Sequence, residues 1–123
     1  MDSILKKMHV KPGMRLAYID INDVLKTYLD TQTTAVLVEE EADVVMGLVL
    51  AMKDVDVCVE QMKAKRKKGS TIWMVYPKAK IGFKPDINRD ILFVYAQNHH
   101  QLIANGNIAL DEDYSMLRFK DIL

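Results

Sequence analysis

Residues 68–78 read Lys68-Gly69-Ser70-Thr71-Ile72-Trp73-Met74-Val75-Tyr76-Pro77-Lys78. From Thr71 to Tyr76 the residues are β-branched, aromatic or apolar and none is charged, the pattern of a strand buried on both faces. Gly69 marks a turn before it, and Pro77, which cannot donate to a ladder, marks its far end. A basic helical pattern precedes the stretch and a second helical pattern follows it. Helix, buried strand, helix is the order found in a parallel sheet with crossovers, and the other segments are placed around this strand.

Upstream, residues 55–66 carry Val55, Cys58, Val59 and Met62 at helical spacing behind a capping Asp54. Lysines and Arg66 fill the last turn, where cations suit the helix dipole, and Gly69 is expected to end the helix. Before it come an apolar strand at 44–51, an acidic link at 39–43 and a β-branched strand at 33–38. Asn22 is a good cap for a helix holding Val24, Leu25, Tyr28 and Leu29, which follows a strand at 15–20. A short helix with Ile4, Leu5 and Met8 on one face, capped by Asp2 or Ser3, stops before Pro12-Gly13.

Downstream, 79–84 is a loop and Pro85-Asp86 opens a helix with Ile87, Ile91, Leu92 and Tyr95 facing inward, closing near His99 or His100. Residues 102–110 and 114–120 read as a hairpin around Asp111-Glu112-Asp113. Alternating strands and helices imply right-handed parallel crossovers. The expectation is a three-layer α/β sandwich of Rossmann type, a mostly parallel sheet with an antiparallel C-terminal hairpin, in a single domain over 1–123.

Composition narrows the function classes. Lysine plus arginine equal aspartate plus glutamate at 17 each, which argues against a dedicated nucleic-acid binder. The longest apolar run, 44–52, is too short to span a bilayer, and the N-terminus lacks the apolar core of a signal peptide. One cysteine, Cys58, cannot form an internal disulfide. A soluble cytoplasmic domain with no nucleic-acid and no membrane partner is expected.

Several stretches together resemble a known fold. They are Lys11-Pro12-Gly13, Ala42-Asp43-Val44-Val45, Trp73-Met74-Val75-Tyr76-Pro77-Lys78 and the tail from Leu110 to Phe119. In this order the chain resembles a small bacterial family of unknown function, with degenerate S-adenosylmethionine-dependent methyltransferase-like domains. The resemblance runs from Lys11 to the end and implies the strand order 2-1-3-4-6-5 with an antiparallel last strand.

A methyltransferase of this type places glycines after the first strand and a carboxylate after the second. Here Asp20-Ile21-Asn22-Asp23 stands where the glycines belong, so every residue carries a Cβ into the ligand's space. Glu39 sits where a carboxylate would hold a ribose. Yet only 39–43 separate this strand from the next, at most roughly 18 Å of extended chain, too little for a helical crossover. A short second strand and a missing helix follow. Small-molecule binding is therefore sought along the top edge of the sheet, at Asp20, Asn22, Asp23, Glu39, Lys53, Lys78 and Lys80, with ordinary loop charges the plainer reading.

Other chemistries have less support. The basic run at 63–68 reads first as a solvated helix end. It is separated from Lys78, Lys80 and Lys84 by a strand of roughly 20 Å, so the two do not form one patch. His99 and His100 are neighbours on a helix and do not converge on one metal. Cys58 and Trp73 fall at core positions, and no nucleophile elbow or phosphate loop is present. No catalytic residue, no metal and no cofactor are assigned. The leading expectation is a non-catalytic methyltransferase-like binding or interaction module. The alternative is a small-molecule methyltransferase, or a binder of another nucleotide-like ligand, with an atypical site. A homodimer through a sheet edge or helix layer is left open.

Overall fold

The stretch at 71–76 lies at the centre of a six-stranded sheet. The computed structural model describes residues 2–20, 23–80 and 82–122. In chain order the elements are α1 (Asp2–Lys7), β1 (Arg15–Ile19), α2 (Val24–Leu29), β2 (Val36–Leu37) and β3 (Ala42–Leu48). A 3₁₀ turn (Met52–Asp54) leads into α3 (Val55–Lys65), β4 (Arg66–Pro77), α4 (Arg89–His100), β5 (Leu102–Ala109) and β6 (Tyr114–Asp121). The strand order is β2-β1-β3-β4-β6-β5. The first four strands are parallel, and β6 runs antiparallel to both β4 and β5. This is the order and hairpin expected.

Side-chain alternation builds the three layers. On β3, Val44, Met46 and Leu48 face one way, and with Trp73 and Val75 of β4 they pack against Leu5, Leu25 and Leu29 of α1 and α2. Val45, Ile72, Met74 and Tyr76 face the other way and meet Val55, Cys58, Val59 and Met62 of α3 and Leu92 and Ala96 of α4. Both faces of the central strands are thus buried, so their sequence reads as continuous apolar runs. Trp73 is core, 1% exposed, with the Arg118 guanidinium 5.7 Å from its ring centre.

Several boundaries differ from expectation, each for a local reason. The third strand covers Ala42–Leu48 instead of 44–51, because Asp43 is held at its start by the Arg15 amide, 2.8 Å away. Helix α3 ends at Lys65, and Arg66 is already extended and pairs with Ala42. Arg66 is drawn out of the helix by its partners: it donates to the Ser70 carbonyl (3.0 Å) and to Asp121 (2.7 Å). Its side chain is only 9% exposed. The register then slips, Ala42 facing Arg66 while Val44 faces Thr71, and Gly69 (φ +81°) makes the bulge instead of capping a helix.

Helix α4 begins at Arg89 and not at Pro85-Asp86. Asn88 caps it by accepting from the Ile91 amide at 2.9 Å, while Asp86 accepts from the Met52 amide at 3.0 Å and ties the loop to the 3₁₀ turn. Ile91, expected inward, is 45% exposed; Leu92, Ala96 and His100 form the buried face. The second strand shrinks to two residues, and the link to β3 is helix-free. The expected cap Asn22 lies outside the described residues. Asp23 stands at the N-cap of α2 in a left-handed conformation without a side-chain cap, and Asp20 accepts from the Lys26 amide (2.9 Å) in its place.

Candidate functional site at the switch point

Strand order reverses between β1 and β3, so the crevice beyond their carboxyl ends is where an open α/β sheet takes a ligand. A cleft of about 200 Å³ lies there, walled by Ile19 of β1, Leu48 of β3, Lys53 and Asp54 of the 3₁₀ turn, and Val57 and Gln61 of α3. Next to it, α3 lies hard against β3 at Gly47. A Cβ at Gly47 would come within 2.5 Å of Met62 Sδ and 2.6 Å of Cys58 Sγ. Cys58 also lines the cleft; burial, reinforced by the Asp54 charge, pushes its thiol up to about 12, so it is no nucleophile at neutral pH.

The seven sequence-derived site residues are divided by the fold. Lys53 is exposed at the cleft wall, and Asp20 directly follows Ile19. One Asp20 carboxylate oxygen accepts from the Lys26 amide; the other, Oδ1, is buried and has no hydrogen-bond partner among the described residues. Asp23 is exposed at the start of α2, and Asn22 lies outside the described residues. Lys78 donates to the Asp111 carbonyl at 2.7 Å and Lys80 is ion-paired with Asp113, so the β5–β6 turn holds both. Glu39 pairs with Lys65 at 3.2 Å, at the end of α3 opposite Lys53. The 11-residue helix α3 separates Glu39 from Lys53, about 16 Å by its rise per residue.

This arrangement does not fit an adenosyl cofactor. The cleft of about 200 Å³ is smaller than the roughly 300–1,000 Å³ typical of small-molecule sites. The carboxylate that would grip a ribose is at the wrong end of α3, and the β2-to-β3 link supplies no helix to close the second side. Among the described residues the geometry offers a shallow crevice with a free ammonium on one wall and an unsatisfied carboxylate oxygen at the end of β1.

Cations of the basic run are spent on the fold more fully than a solvated helix end implies. Lys63 donates to the His100 carbonyl (2.6 Å), Lys65 pairs with Glu39, Arg66 with Asp121 and Lys67 with Asp43 (3.0 Å). One polar cluster was not foreseen. Asp56 on α3 accepts from the Tyr95 hydroxyl at 2.8 and 3.0 Å and sits 2.7 Å from His100 Nε2. Those bonds, Tyr95 first, hold Asp56 below its ordinary value, while the same bond to Asp56 raises Tyr95. The His99 ring lies 4.3 Å from that of Tyr95. Asp56 is separated from Tyr95 and His100 by 39 and 44 residues, and only the Tyr95–His99 spacing of one helical turn was visible in advance. The cluster braces α3 against α4. Among the described residues no group of three or more His, Cys, Asp or Glu is placed to hold a metal, and no helix is long and apolar enough to cross a membrane.

No protein-family model and no curated protein sequence matches the chain. Solved structures do. A SAM-dependent methyltransferase from Aquifex aeolicus superposes with a TM-score of 0.60 at 8% identity, over 97% of this chain and 88% of that one. A putative type 11 methyltransferase from Sulfolobus solfataricus gives 0.55 at 13% identity, over 99% and 91%. A methyltransferase from Pyrococcus furiosus gives 0.58 at 10% identity, over 99% and 82%. At these identities the similarity is one of fold: the sheet, its order and its hairpin are those of a SAM-dependent methyltransferase.

Proposed function

We propose that this chain is a methyltransferase-like domain that serves as a binding or interaction module and does not transfer a methyl group. The observation that carries this reading is the cleft of only about 200 Å³ at the switch point. The chain keeps the scaffold and lacks the room the scaffold's usual ligand requires. The binding surface of the module is the carboxyl edge of the sheet, Asp20, Asp23 and Lys53, with Lys78 and Lys80 on the hairpin side. A sole, buried cysteine suits a reducing cytoplasm.

A second reading has one observation in its favour. Among the described residues Asp20 Oδ1 is a buried acceptor without a donor, and such an atom is costly unless something supplies an N–H or O–H. That favours a small ligand with an amino or hydroxyl group, the atypical methyltransferase or nucleotide-like binder. A thermal melt separates the two. A cofactor at a hundredfold excess over its dissociation constant adds about 2.7 kcal/mol of stability. Neither S-adenosylmethionine, S-adenosylhomocysteine nor common nucleotides are expected to move the melting temperature. A saturable rise with either adenosyl compound would sink the non-catalytic reading.

A further inference from the structure

At the amino ends of β1 and β2, the opposite edge of the sheet from the switch point, lies a cavity of about 460 Å³ lined by Lys6, His9, Val10, Lys11, Pro12 and Thr34. Its size falls within the roughly 300–1,000 Å³ of small-molecule sites. Lys6 and Lys11 are cationic, and among the described residues no carboxylate is in the lining. Among the described residues no ion pair or hydrogen bond occupies the side chains of Lys6, His9 or Lys11, although the Lys11 amide donates to Met14 Sδ (3.1 Å), in contrast to the side chains of Lys63, Lys65 and Lys67 across the molecule. Val10 and Pro12 give the cavity an apolar wall.

The local backbone places the histidine at a cost. Helix α1 ends in a Schellman motif: the Val10 amide donates to the Leu5 carbonyl (2.9 Å) and the His9 amide to the Lys6 carbonyl (3.0 Å). Leu5 and Val10 are both buried, the hydrophobic contact that completes the motif. His9 occupies its left-handed position at φ +63°, where glycine is usual. An L-residue there is strained, and the imidazole it carries borders the cavity beside two ammonium groups.

We propose that this cavity binds an organic oxyanion, a phosphate-bearing molecule with an apolar body, its charged head held by Lys6, His9 and Lys11 and its body against Val10 and Pro12. The ammonium groups offer only donors, and the dianion of a phosphate monoester, its main form at neutral pH, offers only acceptors. The site does not rest on the reading of the switch-point cleft, and either can fail without the other.

The test is a titration of the isotope-labelled chain with phenyl phosphate at 0.15 M salt, followed by amide chemical shifts. Saturable shifts centred on His9, Val10, Lys11 and Thr34 are expected, with weaker binding of inorganic phosphate and none of benzyl alcohol. The double variant Lys6→Gln/Lys11→Gln should keep its melting temperature and lose at least about tenfold in affinity. His9→Gly should hold or raise the melting temperature, because the left-handed strain is removed, while affinity falls; a purely structural histidine would not show that split. No saturable shift at these amides overturns the proposal. So does equal binding of benzyl alcohol, which would leave only an apolar groove, or unchanged affinity in the folded double variant. Equal affinity for inorganic phosphate would overturn the role given to Val10 and Pro12.

Discussion

At the amino ends of the three central strands the carboxylate of Asp43 accepts from the Arg15 amide at 2.8 Å and pairs with Lys67 at 3.0 Å. The Arg15 bond and then the Lys67 bond hold its carboxyl below the ordinary value of 3.8. Unfolded, the group takes up a proton near that ordinary value; folded, it does so only at lower pH. Its contribution to stability is therefore fully present above the unfolded value and is lost as pH falls through the folded one. Asp43→Ala should lose about 1 kcal/mol at pH 7, a hydrogen-bond figure discounted for partial exposure, and urea melts should show the gap from the parent closing as pH falls below the ordinary carboxyl value and through the lowered folded one. A gap that persists unchanged at low pH would assign the loss to packing instead. The sequence displayed the run at 63–68 as a block of charge, but not what each charge meets. Glu39 and Asp43 come from the acidic link at 39–43 and Asp121 from β6, and spacing along one helix cannot reveal partners that only the sheet brings together. Asp56 with Tyr95 and His100 escaped for the same reason.

At the scale of the elements, inward-facing residues of α3 were legible because a single face of four apolar positions recurs at helical spacing. Its end was not, since the deciding force is the tertiary bond from Arg66 to Asp121, and local propensity alone favours one more turn ending at Gly69. The start of α4 was misplaced likewise: Pro85-Asp86 and Asn88 are both plausible starts, and the Asp86 bond to the Met52 amide leaves Asn88 to do the capping. The absence of a Cβ at Gly47 sets how closely α3 and β3 approach, with Met62 and Cys58 of α3 filling the space a side chain would take. Gly47→Ala should cost about 1–3 kcal/mol in chemical denaturation, the usual penalty of an overpacked core. The double variant Gly47→Ala/Met62→Ala should lose less than the two single losses summed, because the truncated methionine vacates the space the new methyl needs. Strict additivity would mean that the two residues do not press on each other.

Across the whole molecule, strand order followed from the resemblance, while alternation of buried runs with helical faces gave the layers. The short second strand was legible in the five residues separating it from the next, too few to cross the sheet with a helix. What could not be read was how much room the missing helix leaves, because cleft size depends on side chains of α3 meeting β3. The same topology sets a gradient of stability. β3 is flanked by β1 and β4 and buried on both faces, whereas β2 holds the sheet edge through only two residues, with Val36 52% and Leu37 42% exposed. The Val36 amide donates to Met14 at 2.8 Å and the Val38 amide to Leu16 at 2.9 Å, and beyond them the edge has no further strand to protect it. Few buried contacts and a two-residue ladder mean that this edge opens locally, without unfolding the sheet. In native-state hydrogen exchange the Val36 and Val38 amides should therefore exchange at least about a hundredfold faster than those of Val45, Met46, Trp73 and Met74, which open only with the whole domain. Dilute denaturant should speed the central amides steeply and the edge amides hardly at all, since local opening exposes little surface. Edge amides protected to the same degree as the central ones would mean that something covers β2 in solution, and the first candidate is a second copy adding its own edge strand, whose protection would fade on dilution.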